Sequence, residues 1–258
     1  MNFRKKIPLA SLILTYLFLY IPIIVLVIFS FNTRGFPSPW KNFTLQWYRE
    51  LFQEAELWRS FATSLIIATS SSLLSLSMAV LLIYFHASGG RIKNMVPIFY
   101  GNLIIPETVL GVSLLSYFTL LDIPLGFISL IIAHTILGLG LVTPIIYTRY
   151  RQLDPKLVEV SLVLGASSRQ TFFKITLPLL KPAVFSIGLL VFIISFDDFI
   201  LSYFCAGTIV QPLSLYLLSL IRWGISPVVN ALSAVLLLIS MSFALLFFFV
   251  QRKRGFFK

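Results

Sequence analysis

Glu159-Val-Ser-Leu-Val-Leu-Gly-Ala-Ser167, followed by Ile175-Thr-Leu-Pro178, lies in a mostly polar and basic segment between two strongly apolar stretches. The segment is long enough for two short helices and a turn. Such a hairpin exposes a small surface of mixed polarity, which suits insertion into a cleft on a partner protein. An amphipathic connector lying on the lipid surface is the alternative, and the spacing alone does not separate the two.

The ends of the two helices can be predicted from capping residues. Asp154-Pro155 is typical of a helix start, because Asp caps the first turn and Pro fits the first helical position. Gly165 permits a sharp reversal of the chain, after which Ser167 or Ser168 can cap a second helix. We therefore expect a helical hairpin over approximately residues 154–177.

The composition is that of a membrane protein. Of the 258 residues, 58% are hydrophobic and only 11% are charged, whereas roughly a quarter of the residues in soluble domains are charged. A net charge of +11 can indicate nucleic-acid binding, but most of these basic residues flank apolar runs, where they orient a membrane protein. The sequence predicts an all-α integral membrane protein with no nucleic-acid partner.

Six apolar stretches are each long enough to cross a bilayer as a helix, and we expect them to form one transmembrane domain over residues 1–258. The first stretch is expected to be retained, because its apolar run is too long for a signal peptide and lacks a small-residue cleavage pattern. The turn Asp122-Ile-Pro124 separates the third stretch from the fourth. The predicted spans are approximately 8–31, 61–85, 96–118, 124–147, 178–204 and 229–250.

Lysines and arginines assign the two sides of the membrane, because cytoplasmic loops carry an excess of them. Fifteen lie in the N-terminus, residues 86–95, residues 148–181 and the C-terminal tail, and five lie in the remaining segments. We therefore expect a multi-pass membrane protein with both termini in the cytoplasm. The hairpin then faces the cytoplasm as well.

The first external segment, residues 32–60, carries aromatic side chains among charges of both signs. Residues 43–52 have apolar side chains at helical spacing, which is typical of a helix lying in the membrane interface. The aromatic residues in question are Trp40, Trp47, Tyr48 and Trp58. We interpret them as membrane anchors, with a contact to a transported solute as the alternative.

Residue patterns typical of catalysis are missing from the sequence. There is no Gly-x-x-x-x-Gly-Lys-Ser/Thr phosphate-binding loop, so we expect no ATP hydrolysis by the chain itself, and no cofactor or metal. His86 and His134 lie on different spans without partners at ligand spacing, which favours packing roles. Cys205 is the single cysteine, which excludes an internal disulfide.

Three acids fall within the apolar stretches: Glu107 in the third, and Asp197 and Asp198 in the fifth. An ionised side chain at the bilayer centre costs about 2.5–3.5 kcal/mol on insertion scales, so such residues face a bundle interior or an aqueous path. Adjacent helical residues point about 100° apart, so we expect one aspartate to line a path and the other to cap or bond a helix. Bonding of the acids to backbone or serine groups at helix interfaces is the alternative.

The hairpin resembles the cytoplasmic loop of ABC importer permeases, whose pattern is Glu-Ala-Ala-x-x-x-Gly followed by Ile-x-Leu-Pro. The matching positions are Glu159, Gly165, Ile175, Leu177 and Pro178. Val160 and Ser161 replace the two alanines. In that family the segment is the coupling helix that docks on a separate ATPase. The resemblance carries this role to Glu159, Gly165, Ala166 and Ser167.

Longer stretches resemble the spermidine/putrescine permease subfamily of these importers, and in particular its second permease subunit. The similarity covers nearly the whole chain and includes Thr63–Ala68, Pro106–Leu115, Ser195–Phe204 and Leu220–Leu232. Val228 departs from the subfamily, which has an acid at this position. Two explanations stay open: the chain has lost a contact to the cation at this position, or it carries a different amine.

The resemblance implies a type I importer permease of the bacterial cytoplasmic membrane, with six transmembrane helices and a cytoplasmic coupling helix. It also implies polyamine cargo and three kinds of partner: a homologous second permease subunit, two copies of an ATPase subunit and an extracytoplasmic solute-binding protein. Asp198, Asp197 and Glu107 would offer a cationic cargo weak stopping points along a path that must also permit release. The exact amine, and pairing with a homologue or with a second copy, stay open.

Three alternatives belong to other classes of function. An importer of another small amine or organic solute shares all the features above. A secondary transporter does not need the hairpin, and a clear inverted repeat is missing. A membrane-embedded hydrolase would need two carboxyls that meet across helices, one of them with a raised pKa.

Overall fold

The computed structural model describes residues 9–35, 38–92, 95–222, 227–238 and 241. Within these residues the regular secondary structure is helical, apart from an isolated β-bridge between Asn32 and Phe43. The helices are α1 (Leu9–Phe29), α2 (Gln46–Gln53), α3 (Ala55–Ala87), α4 (Val96–Ile104), α5 (Glu107–Leu120), α6 (Phe127–Arg151), α7 (Pro155–Val163), α8 (Ser168–Thr171), α9 (Leu177–Asp197), α10 (Ile200–Cys205), α11 (Leu213–Arg222) and α12 (Pro227–Leu238).

Four helices of the described chain are long and apolar enough to cross a membrane: α1, α3, α6 and a continuous helix from Ser168 to Asp197. They correspond to the first, second, fourth and fifth predicted spans. α4 and α5 together make a fifth candidate. The sixth predicted span, 229–250, is helical where α12 is described, and most of its remaining residues lie outside the described part of the chain. A count of six therefore stays a prediction.

The third predicted span is not a single helix, and the expectation of one over 96–118 is wrong. α4 and α5 are bent by 111° relative to each other. Pro106 is the cause, because proline donates no N–H and disfavours helical backbone in the residue before it. Ile105 accordingly has an extended ψ of 127°. At about 1.5 Å per residue, α4 is only roughly 13 Å long, so it is half a span.

The fifth predicted span is also interrupted, so the expectation of a helix reaching residue 204 is wrong. α9 ends at Asp197, Asp198 has an extended ψ of 125°, and α10 begins at Ile200. The Asp198 carboxylate accepts hydrogen bonds from the N–H groups of Ser202 (2.9 Å) and Leu201 (3.4 Å). These bonds satisfy donors that a new helix start would leave unpaired.

The chain divides into two compact units, and the larger one runs from Trp58 to Tyr216. Two buried apolar clusters form its core. One cluster joins α3, α4, α6, the hairpin and α9 around residues such as Ile146 and Phe172. The other joins α3, α5, α6 and α10 around residues such as Phe118 and Leu130.

A layer of serines on α3 lies between the two apolar clusters along that helix. Ser72 Oγ donates to the Gly188 carbonyl (2.9 Å), and Ser75 Oγ lies 3.1 Å from the Thr135 carbonyl. A Cβ added to Gly138 would collide with Ser75. Small residues and hydroxyls let membrane helices approach closely and bond to one another, so this layer holds α3, α6 and α9 together.

The other unit contains the described residues of Met1–Leu57 and Leu217–Lys258. α2 confirms the helix expected within residues 43–52. Trp47 Nε1 donates to the Asn32 carbonyl (2.7 Å), and the Tyr48 hydroxyl lies 2.7 Å from Ser30 Oγ. These two side chains, interpreted above as membrane anchors, therefore attach α2 to the loop that follows α1. Trp40 stays largely exposed.

Asn32 organises this loop. Its side chain is fully buried, Nδ2 donates to the Arg34 carbonyl (2.8 Å) and Oδ1 accepts from the Lys41 N–H (2.9 Å). We expect Asn32→Ala to loosen the loop by about 1–3 kcal/mol, because it leaves buried backbone groups unpaired. Trypsin cleavage after Arg34 and Lys41 in the purified protein should then accelerate about tenfold.

Asn42→Ala is the matched control for this experiment, because Asn42 is an exposed neighbour in the same loop. Its cleavage rate should stay near that of the unmodified protein. Equal cleavage rates in the two variants would contradict the role assigned to Asn32.

Candidate functional site

The two helix breaks lie side by side in the larger unit. α5 packs against α10, and Gly111 permits this approach because a Cβ there would lie 2.6 Å from the Phe204 ring. The packing brings the carboxyl of Glu107, the first residue of α5, next to the carboxyl of Asp198. Two carboxylates in contact repel each other, so a proton or a cation between them stabilises the pair. An acid from each break therefore contributes to one cluster.

Asp198 is the anchored member of this cluster. Its side chain is buried, its carboxylate accepts the two N–H bonds described above, and its carbonyl accepts from Ser214 Oγ (2.7 Å). Asp198 thus bonds the neighbouring helix, as expected for one of the two aspartates. Asp197 is exposed and Glu107 is half-buried.

His134 is a further member of this cluster, and the sequence did not predict it. It lies on α6 with 1% of its surface exposed, and its Nε2 is 3.5 Å from Asp198 Oδ2. Its Nδ1 is 2.7 Å from Ser195 Oγ, which lies 3.1 Å from Ser71 Oγ. A signal existed: Ser195 and Asp198 are three residues apart and so share a helix face. An ionisable residue inside an apolar stretch is itself a reason to search for a partner.

The helical hairpin forms as predicted, between Asp154 and the start of α9. Asp154 Oδ1 accepts from the Lys156 N–H (3.0 Å) at the start of α7. α7 ends with bonds from the Ala166 N–H to the Ser161 carbonyl (3.0 Å) and from the Gly165 N–H to the Leu162 carbonyl (2.9 Å). This is the Schellman end of a helix, which requires the left-handed φ of +86° at Gly165.

Ser167, rather than Ser168, caps the second arm. Ser167 Oγ accepts from the Gln170 N–H (3.3 Å), and Gln170 Oε1 accepts in return from the Ser167 N–H (2.9 Å). This reciprocal pair is a capping box. Ser161, which replaces an alanine of the importer pattern, lies with its hydroxyl 2.8 Å from that of Thr171. The buried pair ties the two arms together.

The tip of the hairpin is apolar and exposed. Val163 is 86% exposed and Leu164 is 80% exposed. Glu159 is also exposed, and within the described residues no hydrogen bond or ion pair of its side chain is seen. A rigid tip with uncovered apolar side chains is typical of a surface that binds a partner.

The second arm continues into the fifth span without interruption, contrary to the expectation of a new helix at Pro178. Residues Phe172–Thr176 form a π-helical turn, in which the Leu177 N–H donates to the Phe172 carbonyl. Pro178 explains the wider turn, since proline lacks an N–H and its ring crowds the carbonyl four residues earlier. The helix from Ser168 to Asp197 has 30 residues and is therefore roughly 45 Å long.

This continuous helix connects the two predicted sites. One end carries the hairpin with Glu159, Gly165, Ala166 and Ser167. The other end carries Asp197 and leads into Asp198. The structure therefore brings Glu107, Asp198 and His134 together. It keeps the hairpin residues at a distance and joins them to this cluster through one continuous helix.

The geometry defines a polytopic membrane protein with broken helices around an internal charged cluster, an arrangement found in transport proteins. The sequence matches, over residues 1–254, the family described as binding-protein-dependent transport system inner membrane component. The chain belongs to that family and is a membrane subunit of a transporter.

Two relatives show which members of the family the chain resembles. The chain is 35% identical to the spermidine/putrescine transport system permease protein PotC of Haemophilus influenzae, covering 95% of this chain and 96% of the relative. It is 32% identical to the putrescine transport system permease protein PotI of Escherichia coli, covering 91% and 86%. The resemblance stated from the sequence motifs is thereby confirmed.

A solved structure has the same fold. It is a bacterial ABC transporter involved in the import of the acidic polysaccharide alginate, with a TM-score of 0.68 and complete coverage of both chains. At 16% identity, the likeness is one of fold alone.

Proposed function

We propose that this chain is the transmembrane subunit of an ABC importer that moves polyamines into the cytoplasm. Its membership of the family and its similarity to two polyamine permeases support this function. The chain supplies the path and the mechanical coupling. A partner ATPase, present in two copies, supplies hydrolysis, and a homologous permease and an extracytoplasmic binding protein complete the complex.

The single observation that carries the coupling role is the rigid hairpin with its uncovered apolar tip. The Schellman end, the capping box and the Ser161–Thr171 pair fix the shape of the hairpin before any partner binds. A preorganised surface binds with a smaller entropy loss. The hairpin is the coupling helix in this proposal, and it docks on the ATPase at the cytoplasmic side, where both termini also lie.

Force then travels along a defined route. Closure of the ATPases on ATP displaces the hairpin, and the displacement passes through the π-turn into α9. A helix transmits such a movement as a rigid element, and packed interfaces respond by switching between discrete arrangements. The far end of α9 lies at the acidic cluster, so the same movement changes the surroundings of Asp197 and Asp198.

The acids give a cationic cargo a passing contact in this proposal. Asp198 places its carboxyl at the junction of α9 and α10, and Glu107 adds a carboxyl that is only half-buried. A cationic amine beside this pair supplies the positive charge that a shared proton otherwise provides. Asp197 extends the acidic surface outward. One carboxyl pair is a weak site, as a path that must release its cargo requires.

Substitution at the hairpin tip tests the docking. We expect Leu164→Asp to reduce recovery of the ATPase with the permease about thirtyfold, because removing an apolar anchor from an interface costs about 2 kcal/mol or more. The amount of ATPase that co-purifies with the tagged permease in detergent is the measurement.

The matched control is Ile209→Asp, which introduces the same charge in place of an apolar residue outside the hairpin. Ile209 is 90% exposed. The control variant should retain the ATPase. Full recovery of the ATPase with Leu164→Asp would contradict docking at the tip. Loss in both variants would show that the effect is not specific to the hairpin.

A further inference from the structure

His134 has an unused hydrogen-bonding atom in the interior of the protein. Its Nε2 is buried and lacks a hydrogen-bond partner among the described residues. The nearest acid is Asp198, with Oδ2 at 3.5 Å. This separation is longer than a hydrogen bond, yet the two side chains are only 1% and 2% exposed. Water therefore screens their interaction poorly.

The neighbouring serines allow the proton on either ring nitrogen of His134. In one arrangement Ser71 donates to Ser195, Ser195 donates to His134 Nδ1, and the ring hydrogen is on Nε2, facing Asp198. In the reverse arrangement Nδ1 donates to Ser195, and the lone pair of Nε2 faces the carboxylate. The second arrangement places two electron-rich groups together in a buried site.

Both oxygens of Asp198 accept from backbone N–H groups, so the oxygen nearest His134 Nε2 presents a lone pair to it. A carboxylate attracts an N–H and repels a lone pair, so the first arrangement is the stable one. Either a neutral ring with its hydrogen on Nε2 or a protonated ring directs a donor at Asp198. His134 therefore acts on this carboxylate in both of its charge states.

We infer that His134 is a positioning residue for cargo passage: its Nε2–H holds the Asp198 carboxylate in place against Glu107 and so sets how strongly the acidic cluster binds a cationic amine. This inference rests on the proposed path through the acids. The geometric basis of the inference is that His134, on α6, contacts Ser195 near the end of α9 and faces Asp198 at the junction of α9 and α10. No other described histidine lies at this junction. α9 is also the helix that carries the hairpin.

Two substitutions separate the two nitrogens of His134. Glutamine places its amide near the position of Nε2 and keeps a donor toward Asp198. Asparagine places its amide near Nδ1 and keeps the contact with Ser195 only. The assay is ATP-dependent uptake of radiolabelled putrescine and spermidine by the complete importer in proteoliposomes, with its binding protein present. We expect His134→Gln to keep at least about half of the uptake and His134→Asn to lose about tenfold.

The opposite order of these two variants overturns the inference, as does an equal loss in both. His134→Met, which has the length of glutamine without the donor, should resemble His134→Asn. Uptake by His134→Met at the level of His134→Gln also overturns it. Thr143→Val is the control on the same helix, because it removes a buried hydroxyl that has no partner among the described residues. It should transport normally.

A double substitution distinguishes positioning from packing. If His134 acts through Asp198, then His134→Met combined with Asp198→Asn should transport no worse than Asp198→Asn alone, because coupled residues are not additive. A residue that only packs would add its own tenfold loss, and that result overturns the inference. Normal uptake by Asp198→Asn would instead contradict the proposed path. If uptake is low in Asp198→Asn but normal in His134→Met, the proposed path stands and only the role of His134 is contradicted.

Discussion

Gly165→Val is expected to lower uptake by the assembled importer about tenfold or more while the chain still inserts into the membrane. Gly165 has a φ of +86°, and a Cβ at this position would meet no atom within 4 Å. The cost is therefore in the backbone alone, about 1–2 kcal/mol for a left-handed residue other than glycine, and it is higher for a β-branched one. A valine should move the helix end and displace the tip that docks on the ATPase.

The measurements are ATPase co-purification, putrescine uptake and the amount of full-length permease in membranes. We expect the first two to fall by about tenfold or more, because correct docking depends on the geometry of the hairpin, and the third to stay unchanged. Gly165→Asn should retain function, since asparagine tolerates the left-handed region. Normal uptake by the valine variant would contradict the docking role.

Gly89→Val is a matched control for backbone strain. Gly89 also has a positive φ, +99°, with no atom within 4 Å of an added Cβ, and it lies between α3 and α4 rather than in the hairpin. Its variant should keep the ATPase. If it loses the ATPase as completely as Gly165→Val does, the effect is one of general strain and not of coupling.

Asp198→Asn is expected to lower putrescine uptake about a hundredfold. The substitution removes the carboxyl that faces Glu107 and His134. It keeps one acceptor oxygen and places an NH2 group opposite the other backbone N–H, so one hydrogen bond worth about 1.5–3 kcal/mol is lost. The loss should appear in the uptake of cationic cargo by proteoliposomes. It should be greater for the dication putrescine than for its N-acetylated monocation, because attraction to a carboxylate grows with charge.

The control for this change is Asp122→Asn, which makes the same replacement at an exposed turn where a φ of +51° suits asparagine. This variant should transport normally. An equal loss for the dication and the monocation in Asp198→Asn would indicate a structural role for Asp198 and would count against a path along the acids.

The sequence was sufficient to predict the hairpin because local signals determine it. Asp154, Gly165 and Ser167 act on backbone groups within a few residues, so their effects can be read from spacing. The spans near 8–31, 61–85 and 124–147 were predictable for a similar reason, since length and apolar composition alone decide whether a helix can cross a bilayer. Family motifs then supplied the class of protein.

The two helix breaks were predictable to different degrees. Pro106 is a visible reason for the bend between α4 and α5, although proline alone also occurs within continuous helices such as α6. The break at Asp198 has no proline or glycine beside it. The Asp198 carboxyl accepts N–H bonds from Leu201 and Ser202, which are close in sequence. It also lies beside His134, which comes from another helix.

What the sequence determined by itself is therefore the membrane character of the protein, its hairpin and its family, because these depend on composition and on contacts between near neighbours. Only the tertiary structure decided that Glu107, His134 and Asp198 meet, that Asp198 is the anchored aspartate, and that one continuous helix joins the hairpin to them. The physical reason is that these features depend on how α5, α6 and α10 pack. In this cluster packing brings together Glu107 and Asp198, which are 91 positions apart, and no local pattern specifies such pairs.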